Sequence, residues 1–179
     1  MVSPISCLSI LVSPLLVTSL FYQVSNAVND TYLDSLCHKS TDYDLCKSTF
    51  AADDRTSTAD LNGLLLISIS ANLNILETTI INRIPKILEI LDDPQDKARL
   101  QNCSTDFSFA LENLTGAYLA STLKNYTEAV RLATDAAFNN VECDNEYNTT
   151  HRPSPIADVP RTVGRLIFIS YVIVGEIPE

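Results

Sequence analysis

The sequence predicts an all-α protein: an up-and-down four-helix bundle with an N-terminal helical hairpin and two disulfides. Three observations predict it. Apolar residues recur at steps of three and four along several long stretches. Capping residues and prolines punctuate the chain at helix-length intervals. Four of the five cysteines fall into a tight pair, Cys37 and Cys46, and a wide pair, Cys103 and Cys143. Each pair is spaced to staple one local helical unit.

The chain opens with an uncharged stretch; the first charged side chain is Asp30. Leu8–Val24 is mostly apolar, and Ser25 and Ala27 place small residues three and one positions before a cut after Ala27. This is the pattern of a secretory signal peptide over residues 1–27, although no Lys or Arg follows Met1. The competing reading is an uncleaved membrane anchor. Pro14 and the lack of flanking basic residues speak against it. Removing 27 of the 179 residues leaves 152, residues 28–179, enough for one domain with a proper core. Cys7 leaves with the leader, and an even set of four cysteines in an oxidising compartment reads as two disulfides rather than a metal site. Four cysteines allow three pairings. Spacing makes Cys37–Cys46 with Cys103–Cys143 the simplest and excludes neither of the others.

Two short helices are expected first, over 31–39 and 43–52, the second capped by Asp42. The run Asp53–Ser57 is a loop, and Thr58 is the expected N-cap of the first long helix. Along that helix Leu61, Leu64, Leu65, Ser68, Ala71, Ile75 and Thr79 share a face. Leu66, Ile67, Ile69 and Leu73 widen it. Pro85 must kink or end the helix near Ile84, ahead of a last turn through Leu91. Asp92-Asp93-Pro94 starts the second, an acidic cap with proline at the first position. Its stripe is Leu100, Cys103, Phe107, Ala110, Leu114 and Ala117. Lys124-Asn125 turns the chain into a third helix, where Tyr126, Ala129, Val130, Ala133, Ala137 and Val141 form the stripe and Cys143 marks the end. Residues 144–154 read as an irregular connection. The apolar segment 163–177 is rich in β-branched residues, but no other stretch offers a partner strand. It is expected to be the fourth helix.

Composition excludes several functions. A net charge of −10 disfavours nucleic acid, whose phosphates require a basic surface. At a mildly acidic pH of roughly 5 most carboxylates, with reference values of about 4, stay ionised and favour basic partners. His38 and His151 sit in or near loops, apart from any metal-ligand pattern or nucleophile. The four glycines are scattered, which rules out a glycine-rich phosphate cradle. The acidic pairs fall at helix boundaries, where capping and solvation account for them. No cofactor, metal or catalytic residue is expected, and the chain does not read as an enzyme.

Five sequons occur, at Asn29, Asn102, Asn113, Asn125 and Asn148. Asn29, Asn113, Asn125 and Asn148 are the glycosylation candidates, with Asn125 and Asn148 in expected loops. Asn102 is the poorest acceptor because it precedes Cys103.

Cys-x8-Cys near a mature N-terminus, a long bundle and then Cys-x39-Cys resemble the plant invertase/pectin methylesterase inhibitor family. Thr58-Ala59-Asp60-Leu61, the stretch from Asn125 to Ala137 leading into Cys143, and Ser154-Pro155-Ile156 add local similarity in the same order. The pollen-allergen branch described as invertase inhibitors is the nearest. The resemblance implies a four-helix bundle with an N-terminal hairpin and the sequential pairing, Cys37–Cys46 and Cys103–Cys143. It implies a secreted, apoplastic inhibitor that forms a one-to-one complex over the active-site cleft of its target. It also marks the turn Lys124, Asn125, Tyr126, Thr127 and Glu128 as partner-binding. Invertase-directed members carry Pro-Lys-Phe where this chain has Tyr126-Thr127-Glu128, and an aromatic residue there is common in pectin methylesterase inhibitors. Glu142, however, stands where those inhibitors have threonine before the last cysteine. Pectin methylesterase is therefore the first expected partner and invertase the second. A secreted allergen- or storage-type helical protein without an enzyme target is a third reading.

Overall fold

The computed structural model describes residues 27–148 and 152–178, and all regular structure in them is helical. The expected leader, Cys7 included, lies outside the described residues, except for Ala27. Helices α1 (Asp30–Lys39) and α2 (Tyr43–Ala51) form the hairpin. Asn29 caps α1 by accepting the Tyr32 N–H at 2.8 Å, and Asp42 caps α2 by accepting that of Leu45 at 3.0 Å. Cys37 is bridged to Cys46 across the hairpin, with Cα atoms 5.4 Å apart. Leu33, Leu36 and Phe50 are buried with these cysteines, so the hairpin lays its apolar side on the bundle instead of standing free.

The first bundle helix, α3, spans Leu61–Thr78. Its cap is Asp60, whose Oδ1 accepts the Gly63 N–H at 2.7 Å. The expected cap, Thr58, instead closes a 3-10 turn, its hydroxyl bonded to the Arg55 carbonyl at 3.3 Å. The intervening Ala59 is extended and lends its carbonyl to the Val28 N–H at 2.8 Å, which ties down the incoming chain. After α3 the coil widens into a π turn, Thr79–Arg83, and continues as α4, Ile84–Ile90. Pro85 explains the widening. Proline offers no N–H and its ring crowds the carbonyl one turn back, and a wider turn relieves both conflicts without ending the helix. This apolar run has the length and hydropathy of a membrane span, yet its central residues Leu64, Leu65, Ser68, Asn72 and Leu76 are core.

Helix α5 (Pro94–Thr122) starts on Asp93, which accepts the Gln95 N–H at 2.8 Å. All six residues of its expected stripe are buried. Burial of a side chain such as Phe107 or Leu114 contributes about 1.5–3 kcal/mol. Helix α6 (Tyr126–Asn148) runs back antiparallel. Its buried line is Ala129, Ala133, Ala136, Asn140, Cys143 and Tyr147. The expected line drifts off this face: Val141 is 51% exposed. The helix also continues past Cys143 through residues read as a loop, because Tyr147 extends the buried line by one more turn. Small residues let α5 and α6 approach closely. A Cβ at Gly116 would come within 3.0 Å of Leu132, and Cys103 and Cys143 are bridged with Cα atoms only 4.4 Å apart.

Helix α7 (Asp158–Glu176) starts five residues before the segment read from sequence and completes the bundle against α3 and α6. A small polar seam fixes its register. Ser68 Oγ lies 3.1 Å from the Leu166 carbonyl and 3.0 Å from Ser170 Oγ, and Asn140 Nδ2 donates to the Pro160 carbonyl at 2.8 Å. Buried polar atoms favour the one arrangement that pairs them, so the seam specifies alignment where apolar packing alone tolerates slippage.

Candidate functional site

Lys124, Asn125, Tyr126, Thr127 and Glu128 lie together at the tip of the α5–α6 hairpin. The Lys124 N–H donates to the Ser121 carbonyl at 3.0 Å and the Asn125 N–H to that of Ala120 at 2.9 Å. This pair of bonds closes a helix C-terminus only if the residue between them is left-handed, and Lys124 has φ 56°. Glycine is the usual occupant, because a side chain there costs about 1–2 kcal/mol. Asn125 then caps α6, its Oδ1 accepting the Glu128 N–H at 3.2 Å. One residue ends the first helix and the next starts the second, which makes the turn short and stiff.

The turn is also presented. Lys124, Asn125 and Thr127 are exposed, Leu123 beside them is 81% exposed and Leu119 one turn back is 57% exposed. Lys124 makes no ion pair among the described residues. Tyr126 faces the other way, half-buried against the core. Burial, reinforced by the Asp60 carboxylate, pushes its hydroxyl above the ordinary tyrosine range. Glu128 is not a free negative charge. Arg131 holds it with two bonds of 2.7 and 2.8 Å, which depress its carboxyl, and also reaches Asp135 at 2.7 Å. Arg131 and Asp135 were not singled out in the sequence, although their spacing from Glu128 is the helical one that permits such pairs.

Beside the turn a groove of about 450 Å³ runs between the entering chain (Val28, Asn29), the start of α3 (Asp60, Leu61), Tyr126 and Ile177. Residues far apart in sequence meet here, and no local pattern announces the convergence. A larger concavity of about 680 Å³ lies at the opposite end of α6 and α7. Of the partner-binding and glycosylation candidates read from sequence, only Asn148 lines it. Among the described residues no group of three or more His, Cys, Asp or Glu side chains is placed to hold a metal ion.

The sequons separate by geometry. Asn29 and Asn125 are exposed and use Oδ1 as a helix cap. Asn102 Nδ2 donates to Glu146 at 3.1 Å, Asn148 Nδ2 to Asp144 at 3.3 Å, and Asn113 is half-buried in the middle of α5.

No curated protein sequence is significantly similar to the chain. Among the solved structures that share its fold are two inhibitors. A mutant form of a pectin methylesterase inhibitor from Arabidopsis superposes with a TM-score of 0.71 at 17% identity, over 82% of this chain and 97% of that one. A pectin methylesterase inhibitor from Arabidopsis thaliana gives 0.62 at 16% identity, over 85% of this chain and 99% of that one. The family model described as plant invertase/pectin methylesterase inhibitor matches residues 31–171, from α1 to the last turns of α7. The chain thus belongs to the plant invertase/pectin methylesterase inhibitor family, a family of inhibitors and not of enzymes.

Proposed function

We propose that this protein is a secreted inhibitor of a plant cell-wall enzyme, that it forms a one-to-one complex over the target's active-site cleft, and that the target is pectin methylesterase. The observation that carries the reading is the family match over residues 31–171 on a bundle that holds one strained, exposed turn forward from its end. A stiff projecting turn loses little conformational entropy on docking, which favours binding. Choice of the esterase rests on the absence of Pro-Lys-Phe: Tyr126 packs on the core, Thr127 is neutral and Glu128 is an acid paired with Arg131, so none of the three offers a free cation. Secretion rests on the leader pattern of residues 1–27.

Invertase is the second reading, and one observation favours it. Lys124 is an exposed cation at the tip, able to face acidic residues in a cleft. Titration of both enzymes at wall-like pH separates the readings. Loss of esterase activity near an equimolar ratio, with invertase little affected, is the expected result. Replacing Tyr126-Thr127-Glu128 by Pro-Lys-Phe should then strengthen invertase inhibition by at least about tenfold, roughly 1.4 kcal/mol. If neither enzyme is inhibited at large excess, the protein is a helical scaffold without these targets.

A further inference from the structure

We propose that Asn125 is an N-glycosylation site and that its glycan shields the docking turn, so that glycan occupancy sets the strength of inhibition. The shielding half rests on the function proposed above; the modification itself rests only on entry into the secretory pathway.

The bonds of Asn125 point to its side-chain nitrogen. Its N–H donates to Ala120, its carbonyl accepts the Ala129 N–H at 3.0 Å, and its Oδ1 caps Glu128. Nδ2 is the one polar atom of this residue without a hydrogen-bond partner among the described residues, and it is the atom that a glycan takes. The side chain is exposed at a tip between two helices, and Thr127, the sequon hydroxyl, is exposed with it. Attachment therefore breaks no bond of the fold and leaves the cap in place. Asn29 has the same arrangement at the same end of the bundle, on the rim of the groove beside the turn. At Asn102 and Asn148 attachment at Nδ2 would instead disturb a side-chain hydrogen bond.

The reaction is a transfer from a polyprenyl-diphosphate-linked oligosaccharide. Nδ2 forms a bond to the anomeric carbon as that carbon's bond to the diphosphate oxygen breaks. The lipid diphosphate leaves with the electron pair, and the amide proton passes to a base of the transferase. The product places a bulky polar group one residue from Lys124, where a partner's cleft would have to close.

The test uses the full chain secreted from a eukaryotic host. Peptide mapping after peptide N-glycosidase, which leaves Asp in place of a glycosylated Asn, is expected to mark Asn125 and Asn29. An unmodified Asn125 peptide overturns the assignment. Two variants block attachment and keep the cap: Thr127→Ala removes the acceptor sequence, and Asn125→Asp removes the acceptor nitrogen while retaining a capping oxygen. Both are expected to inhibit the target at least about tenfold more tightly than the glycosylated protein. Equal inhibition constants overturn the shielding. If unglycosylated protein made in a bacterial host inhibits neither enzyme, the proposed function falls and the shielding with it, whereas the peptide map still decides the modification.

Discussion

Arg83 clamps Asp158 with two guanidinium bonds of 2.6 and 2.7 Å and adds a third, at 3.0 Å, to the Pro155 carbonyl. The clamp joins the π turn after α3 to the first turn of α7, two elements 75 residues apart. Without the wider π turn, Arg83 would point along a different radius of the helix. The conflict posed by Pro85 thus has a structural use: it aims the arginine at the start of the last helix.

Arg83 holds the Asp158 carboxyl below the usual carboxylate range, partial burial opposing it. A depressed carboxyl contributes stability above its unfolded value, near 3.9, and loses that contribution as pH falls through the folded value. Asp158→Asn should therefore lower stability by up to about 1 kcal/mol at neutral pH, a modest figure because both side chains are partly exposed. Denaturant unfolding should show wild type and variant converging in strong acid.

Asp106 has the opposite sign. Burial first, then the charges of Glu146 and Glu142, push its carboxyl up. A raised acid is best tolerated below its unfolded value, and the fold loses stability as pH rises through the folded one. Asp106→Asn should raise the melting temperature at pH 7, and the gain should shrink toward pH 4. A gain independent of pH would mean that packing and not charge is responsible.

Lys124→Gly should relieve the left-handed strain. Glycine gives back part of the gain through the greater freedom of the unfolded chain, leaving about 0.5–1 kcal/mol, or roughly 1–4 °C in a domain of this size. The same change removes the exposed cation. Tighter folding with weaker inhibition would show that the lysine side chain is kept at this strained position for binding, at a cost in stability.

Phe107 and Phe138 are alike in hydropathy and opposite in setting, fully buried and 67% exposed. Phe107→Ala should cost about 3–5 kcal/mol, and Phe138→Ala no more than about 0.5 kcal/mol. Urea unfolding of both variants checks the rotational register of α5 and α6 in one comparison.

That register marks how far the sequence could be read. On α5 the buried stripe combines bulky and small apolar residues at helical spacing and, Phe109 and Leu111 aside, is polar between them, so all six expected positions are core. On α6 the cues are reversed. Asn140 is buried because the Pro160 carbonyl accepts from it, while Phe138 and Val141 face outward. Hydropathy follows the wrong line there, and alanine is too weakly apolar to correct it. The end of α6 is hidden for a related reason, since four polar residues, Asp144, Asn145, Glu146 and Asn148, surround the tyrosine that continues the core. The turn itself is legible in the break at Lys124-Asn125 between two helical stripes. The left-handed Lys124 is not, because glycine normally signals that conformation. The groove beside it depends on chain segments that meet only in the fold.

The Cys103–Cys143 bridge and the turn stand in a relation that bears on how long such a protein survives among proteases. The bridge closes α5 and α6 into a covalent ring, with Lys124 near its midpoint and about 30 Å away along each helix. A basic residue at an exposed tip is the natural place for a trypsin-like cut. Such a cut opens the ring without parting it: both halves remain one molecule, and the packed interface between them holds the new ends in place. Cleavage at the tip would therefore pass unnoticed on a non-reducing gel and divide the protein only after reduction.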